Sequence, residues 1–129
     1  ISYTKNMLNL NNIMIGTEDS KKLAEFYEKV LDKKADMQDG EWYGWMVGSA
    51  FLSIGNHSEV KGSSKEPQRV IFNFETKDVK GEFERIKKSG ATVVKEPYDM
   101  GGAWIATFED PDGNYFQLMT PWDEPNLKN

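Results

Sequence analysis

Apolar and polar residues alternate along several short stretches of the chain, and this spacing of two is typical of β-strands. In the first of them, Ile13 and Ile15 fall on one face of the predicted strand and Asn12 falls on the other. The polar segment 33–40 has room for one further short strand. The predicted strands cover residues 8–17, 41–47, 50–55, 69–76, 91–94, 104–108 and 115–120.

Two other stretches place apolar residues three and four positions apart, which predicts amphipathic helices with one core-facing stripe. The first helix begins at Asp19 or Ser20, whose side chains can accept from the free N–H groups of a first turn, and runs to about Leu31. The second begins at Asp78 and ends at Gly90, which can take the positive φ of a helix C-terminus.

Turn residues join two pairs of the predicted strands. Gly48-Ser49 is a plausible two-residue hairpin turn between residues 41–47 and 50–55. Asp112-Gly113, after Pro111, is the strongest hairpin signal in the chain and predicts a closing hairpin near the C-terminus.

The two halves of the chain repeat each other with a shift of 59 residues, the difference between Thr76 and Thr17. Each half is predicted to form strand, helix and about three strands, in a single domain with modules at about 8–58 and 69–121 and a linker at about 59–68. Two such halves can curl their sheets into one concave surface, which is the natural ligand site. The matching pairs include Thr17 and Thr76, Asp19 and Asp78, Lys21 and Lys80, Glu25 and Glu84, and Lys29 and Lys88.

Composition excludes several classes of function. The 129 residues carry a net charge of −5 with no strongly basic patch, which argues against nucleic-acid binding. No apolar run approaches the roughly 18 residues of a membrane span, and no signal segment opens the chain. The absence of cysteine excludes disulfides and thiolate ligands and fits a cytoplasmic protein. Residues 1–6 are either native or a remnant of processing or cloning, and residues from 121 onward are expected to form a frayed tail.

Three motifs in order carry a family resemblance. They are Asp19-Ser20 with Phe26-Tyr27 and Val30-Leu31, then Asp78-Val79 leading to Ile86-Lys87-Lys88-Ser89-Gly90-Ala91, then Phe108-Glu109-Asp110-Pro111-Asp112-Gly113-Asn114. With the repeat, the chain resembles the vicinal oxygen chelate superfamily, which includes glyoxalase I, extradiol dioxygenases, and bleomycin- and fosfomycin-resistance proteins. The resemblance implies an α+β fold with two tandem βαβββ modules forming one concave mixed sheet and helices outside. It also implies a homodimer.

In metal-dependent members of that superfamily, His or Glu side chains from four strands hold one metal on the concave surface. Carried over by distance from the motifs, those positions are Asn12, Ser53, Ile71 and Gln117. Ile71 has no donor atom, and neutral amide and hydroxyl oxygens bind a divalent metal weakly. The sequence therefore predicts no metal and no other cofactor. The only histidine, His57, is either a solvated residue beside the linker or a ligand.

The same surface is predicted to bind a small molecule, through side chains on the face that would have held the metal. The predicted ligand-binding residues are Asn12, Trp42, Met46, Phe51, Ser53, Asn73, Glu75, Tyr115 and Gln117. The first hypothesis is a metal-independent binding protein of the glyoxalase/bleomycin-resistance type, with sequestration or resistance as its role.

Two alternatives stay open at this point. A divalent-metal-dependent lyase, isomerase or dioxygenase with a displaced site would need donors from Glu75, Glu109, His57 or a partner subunit. Glu75 or Glu109 could also serve as a general acid or base, although Glu75 could equally be exposed at a strand end. A pure interaction domain would instead use Trp42 and Phe51 only to fill the space between the sheets.

Overall fold

The structure is a computed structural model, and it describes residues 7–121. Residues 1–6, which are either native or a remnant, and residues 122–129 of the predicted frayed tail lie outside the described residues. The chain divides between Lys61 and Gly62 into two compact units. Each unit has its own four-stranded sheet and its own helix. Neither helix in the described part of the chain is long and apolar enough to cross a membrane.

Unit 1 begins with a strand–helix–strand segment and ends in a hairpin. Its elements are β1 (Asn12–Thr17), α1 (Ser20–Leu31), β2 (Met37–Asp39), β3 (Trp42–Val47) and β4 (Ala50–Asn56). The strand order is β1-β4-β3-β2, with β1 parallel to β4 and the other neighbours antiparallel. Val47 pairs with Ala50 across the predicted two-residue turn, where Gly48 has a φ of 60°. The predicted register of this hairpin is confirmed.

Unit 2 repeats this topology. Its elements are β5 (Phe72–Glu75), α2 (Val79–Lys88), β6 (Thr92–Asp99), β7 (Trp104–Glu109) and β8 (Tyr115–Met119). The strand order is β5-β8-β7-β6, and β5 is parallel to β8. The predicted α+β fold of two βαβββ modules is therefore confirmed. The joint concave surface of the two sheets stays a prediction.

The starts of the two helices show the repeat at atomic detail. The Thr17 hydroxyl oxygen accepts from the N–H of Asp19 at 3.2 Å, and the Thr76 hydroxyl oxygen accepts from the N–H of Asp78 at 3.1 Å. Each aspartate then caps its helix by accepting from the backbone N–H three residues later, at 3.1 and 2.9 Å. A cap of this kind contributes about 1 kcal/mol, so the same device stabilises both helices.

Each helix buries its predicted stripe against one face of the sheet in its own unit. In unit 2, the rings of Phe83, Phe108 and Phe116 form a continuous stack, with centroids 5.1 and 5.5 Å apart. In unit 1, the Trp45 indole is buried and donates from Nε1 to the Lys33 carbonyl oxygen at 3.0 Å. The buried apolar residues are Ile15, Leu23, Ala24, Tyr27, Val30, Trp45, Leu52 and Ile54 in unit 1, and Val79, Phe83, Ile86, Ala106, Phe108, Phe116 and Leu118 in unit 2.

The two parallel edge strands are shorter than predicted. β1 begins at Asn12 rather than at residue 8, because its partner β4 begins at Ala50 and the register pairs Asn12 with Phe51. β5 covers residues 72–75 rather than 69–76, because Phe72 pairs with Phe116 near the start of β8.

β6 is longer than predicted. It runs from residue 92 to 99 instead of 91–94, and the predicted loop at 96–102 shortens to residues 100–103. Pro97 lies inside this longer strand. β6 is an edge strand, and its register with β7 shifts twice between Val93 and Tyr98, so a residue without a backbone N–H is tolerated.

Candidate ligand-binding site

Five predicted site residues share one face of the unit 1 sheet. Trp45, Leu52 and Ile54 point toward α1, so their neighbours along each strand point to the opposite side. We call this opposite side the helix-free face of unit 1. It carries Asn12, Met14, Gly16, Met37, Asp39, Trp42, Gly44, Met46, Phe51, Ser53 and Gly55.

Trp42 and Phe51 form an aromatic platform over glycine backbone. Their rings stack with centroids 6.0 Å apart and planes at 26°. A Cβ atom added to Gly44 would lie 2.8 Å from Cε2 of Phe51 and 3.0 Å from Cη2 of Trp42. A Cβ atom on Gly55 would lie 3.4 Å from Cδ1 of Trp42. Because these two positions have no side chain, the rings can lie against the strands instead of standing away from them.

Three methionines surround the platform. The Met14 methyl carbon would lie 3.1 Å from a Cβ on Gly55, which places it beside the indole of Trp42. Met14, Met37 and Met46 are each about half-exposed. Of these three, only Met46 was among the predicted site residues. The predicted alternation of the first strand already placed Met14 on the face of Asn12, although Met14 was not counted as a site residue. Met37 lies in the short strand of segment 33–40, whose limits were not predicted.

His57 lies at one end of the helix-free face of unit 1. Its Cβ atom would be 3.1 Å from a Cβ on Gly16. Its backbone N–H donates to the Thr17 carbonyl oxygen at 2.9 Å, and its Nδ1 accepts from the N–H of Glu59 at 3.2 Å. The residue is exposed, as the solvated interpretation expected, yet its place beside Gly16 was not predicted.

The other four predicted site residues share the face of the unit 2 sheet that points away from α2. Asn73 pairs with Gln117, and Tyr115 lies two positions before Gln117 on the same side. Gln117 donates from Nε2 to the Thr107 hydroxyl oxygen at 3.0 Å. Asn73 and Glu75 are exposed, whereas Tyr115 and Gln117 are half-buried. Thr107 was not predicted as a site residue.

The glyoxalase-like domain family profile matches residues 12–119, which is most of the chain. The chain belongs to the glyoxalase-like domain family. This places it in the vicinal oxygen chelate superfamily, as the three motifs predicted. The YurT protein of Bacillus subtilis (strain 168) is 30% identical over 122 residues, which cover 81% of this chain and 93% of YurT.

Solved structures share the fold of this glyoxalase-like domain. A glyoxalase/bleomycin resistance protein/dioxygenase family enzyme from Burkholderia phytofirmans PsJN superposes with a TM-score of 0.71 at 22% identity, covering 88% of this chain and 98% of that one. The fosfomycin resistance protein FosX from Mesorhizobium loti also gives 0.71, at 18% identity, covering 94% and 98%. At these identities the similarity is one of fold.

Strand register shows which predicted metal positions of the two units are equivalent in this glyoxalase-like domain. Met14 pairs with Ser53 in unit 1, and its counterpart Asn73 pairs with Gln117 in unit 2. Ser53 is therefore the equivalent of Gln117, and the assignment of these positions to a metal site stays a prediction.

The side chains at these positions do not fit a catalytic divalent metal. Ile71 has no donor atom, and the oxygens of Asn12, Ser53 and Gln117 carry no charge. The Gln117 amide nitrogen donates to Thr107. Asn12 donates from Nδ2 to the Asn11 side-chain oxygen at 2.7 Å. Within residues 7–121 there is no group of three or more His, Cys, Asp or Glu side chains that could hold an ion. These side chains therefore do not support a mechanism through the superfamily's usual metal.

The loop that starts β8 is organised by one buried aspartate. Asp110 is 4% exposed, and its Oδ1 accepts from the N–H groups of Asp112 and Asn114 at 2.9 Å each. Gly113 has a φ of 80°, as the turn prediction required. The turn was predicted from Asp112-Gly113, and the anchoring role of Asp110 was missed. This loop sets where Tyr115 enters the sheet.

A polar clamp holds the end of β3 that carries Met46. Asp36 Oδ2 accepts from the Met46 N–H at 2.7 Å, and Lys33 Nζ donates to the Met46 carbonyl oxygen at 2.9 Å. Lys33 and Asp36 also form an ion pair at 3.0 Å. The hydrogen bond from the Met46 N–H, followed by the one from Lys33, lowers the pKa of Asp36 below its usual value of 3.8.

We expect this clamp to make stability depend on pH in the acid range. Because the pKa of Asp36 is lowered by folding, its contribution is fully present above 3.8 and is lost as the pH falls through the folded value. Urea unfolding of the wild type and Asp36→Asn at several pH values should show the wild type more stable near neutrality, with the difference shrinking as the solution becomes strongly acidic. A difference that stays constant over this range would contradict the assignment.

Proposed function

We propose that this glyoxalase-like domain binds a planar small molecule without a metal ion, in a sequestration or resistance role. The observation that carries the proposal is the aromatic platform of Trp42 and Phe51. The absence of side chains at Gly44 and Gly55 lets these stacked rings lie against the strands. Trp42 is half-buried rather than enclosed in the core. A mostly apolar surface with a few neutral polar groups suits a flat, partly apolar ligand.

One exposed polar group that could orient such a ligand is neutral. It is the Asn12 amide on the helix-free face of unit 1, whereas Ser53 on the same face is 3% exposed, so its hydroxyl is closed to a ligand. Considered by itself, the face of the unit 2 sheet that points away from α2 offers a second neutral group, the Gln117 amide, which its bond to Thr107 holds in one orientation. Side chains of this kind recognise a ligand through hydrogen bonds and do not supply the negative charge that a catalytic divalent metal needs.

Two further features belong to the proposal. A cytoplasmic location agrees with the absence of cysteine from all 129 residues. A homodimer agrees with what the superfamily resemblance implies. A fold-level neighbour named as a fosfomycin resistance protein supports a resistance role for this fold without identifying the ligand of this chain.

The proposal predicts that a planar aromatic probe such as acridine binds in the presence of EDTA. Trp42→Ala should weaken that binding about tenfold or more, because it removes the larger ring of the platform. Binding would be measured by isothermal titration calorimetry. The matched control is Trp104→Ala, since the Trp104 ring carries the Lys80 ammonium 3.9 Å from its centroid and so lies on the α2 side of the unit 2 sheet.

Two results would count against this function. Binding of the probe that disappears with EDTA would mean that a metal is needed after all. Equal loss of binding in Trp42→Ala and Trp104→Ala would mean that the platform is not the binding surface. Circular dichroism should first show that both variants are folded.

A displaced metal site is the second candidate, and the position of His57 beside Gly16 is the observation that favours it. An imidazole at the end of the helix-free face of unit 1 could serve as one donor, with a partner subunit supplying others. The test is metal content after purification without chelators and incubation with nickel, zinc, manganese and iron. Near-zero occupancy supports the first proposal, and close to one ion per chain supports the second.

A further inference from the structure

The strand positions on the helix-free face of unit 1 carry negative charge only. Among the positions that β1 to β4 place on this face, Asp39 is the only ionised side chain. The others are one amide, one hydroxyl, three glycines, three thioethers and the two rings of the platform. Among these strand positions a ligand therefore meets one carboxylate and no ammonium or guanidinium group.

Asp39 lies next to the platform. The antiparallel register of β2 and β3 pairs it directly with Trp42. Side chains at directly opposed positions share a face, and their Cβ atoms are about 5 Å apart. The carboxylate is exposed, so it is available to a ligand that stacks on the Trp42 ring.

Two charged residues that flank these strands, Lys33 and Glu41, are engaged with other groups. Lys33 donates to the Met46 carbonyl oxygen and forms an ion pair with Asp36. Glu41 lies in the turn between β2 and β3, and its Oε2 accepts at 2.7 Å from the amide of Asn56, which is on the α1 side of β4. Lys33 is therefore engaged with other groups, and Glu41 has the same sign of charge as Asp39 and does not offset it.

The rest of the face also favours positive charge in a ligand. The π face of an indole carries negative electrostatic potential and attracts cations, more strongly than the faces of the other aromatic side chains. Thioether sulfur is polarizable and packs well against flat apolar groups. The half-exposed methyl and sulfur atoms of Met14 and Met37 therefore suit the body of the ligand, while Trp42 and Asp39 suit its charge.

We propose that the ligand of the helix-free face of unit 1 is a planar aromatic cation, held by the Trp42 ring face and the Asp39 carboxylate. This inference rests on the proposed function and adds to it the charge of the ligand. The net charge of −5 on the chain also attracts cations at long range.

The test compares three acridines of nearly equal size at mildly alkaline pH: the permanent cation N-methylacridinium, neutral acridine and anionic acridine-9-carboxylate. N-methylacridinium should bind about tenfold more tightly than acridine, and the carboxylate should bind most weakly. High salt should reduce the advantage of the cation, because the carboxylate is exposed and its field is screened.

Asp39→Asn should remove most of the cation's advantage while changing acridine binding by less than about twofold. Glu25→Gln is the matched control, because Glu25 is an exposed carboxylate on α1, which packs on the opposite side of the sheet. Equal affinity for the cation and neutral acridine, or no effect of Asp39→Asn, overturns the charge assignment and leaves the proposed function in place. Failure of all three probes to bind overturns the proposed function and the inference together.

Discussion

Replacing Asp110 with alanine is expected to lower the free energy of unfolding by about 2–5 kcal/mol. The Asp110 side chain is 4% exposed and accepts from the backbone N–H groups of Asp112 and Asn114, and from the Asn114 amide at 3.0 Å. Alanine would leave these donors without their acceptor in a loop whose residues 112–114 are half-buried. Hydrogen bonds to a charged group are each worth about 1.5–3 kcal/mol, and the unpaired donors add a desolvation cost.

The matched control for Asp110→Ala is Asp99→Ala. Asp99 Oδ1 also accepts from a loop N–H, that of Gly102 at 2.7 Å, but the residue is exposed. Water can replace the lost acceptor there, so a loss of about 1 kcal/mol or less is expected. Chemical denaturation followed by tryptophan fluorescence measures both. If Asp110→Ala lowers the free energy of unfolding no more than Asp99→Ala does, the burial of Asp110 does not determine how much its hydrogen bonds stabilise the loop.

For the Asp110 loop, the sequence predicted the turn but not the contacts that hold it. Asp112-Gly113 identified the turn correctly, because positive φ is a local requirement that the residue types reveal. The role of Asp110 in holding this loop could not be predicted from residue type, because the stabilisation that its hydrogen bonds provide depends on its burial. The same loop also accepts, at the Asp112 carbonyl oxygen, a hydrogen bond of 2.8 Å from the Ser64 N–H, which lies in the predicted linker. Contacts between residues so distant in sequence leave no periodic signal.

Faces of strands were predicted better than their ends. Alternation and the Gly48-Ser49 turn together predicted Trp42 and Phe51 on one side of the sheet and Trp45 on the other. The observed register of β3 and β4 confirms this placement. The ends of β1, β5 and β6 were wrong because they depend on where the neighbouring strand begins or bends. β6 shows this most clearly, since edge position and register shifts accommodate Pro97 inside the strand.

The site was predicted as a set of residues on shared faces, and not as a geometry. That Gly44 and Gly55 allow two rings to lie against the sheet depends on rotamers, which a sequence pattern does not fix. The position of His57 beside Gly16 depends on how the chain turns after β4. The unsuitability of Ile71 for metal binding needed no geometry, because a side chain without a donor atom cannot bind a metal in any conformation.

Trp45→Ala is expected to destabilise unit 1 by about 3–5 kcal/mol, the usual cost of removing a large ring from a core. Trp45 is 0% exposed and lies on the α1 side of the sheet. Its replacement also removes the hydrogen bond from Nε1 to the Lys33 carbonyl oxygen. Denaturant titration followed by circular dichroism would measure the loss without depending on the tryptophan that is removed.

The control for Trp45→Ala is Trp42→Ala, three residues earlier on the same strand. If Trp42 belongs to a ligand site, its removal should cost about 1 kcal/mol or less in stability, because a half-buried ring on the helix-free face leaves no closed cavity. An interaction domain with a filled and inert interior predicts instead that both tryptophans cost several kcal/mol. Comparable losses would therefore favour that alternative, whereas a stable Trp42→Ala that no longer binds acridine separates the core of this domain from its binding surface.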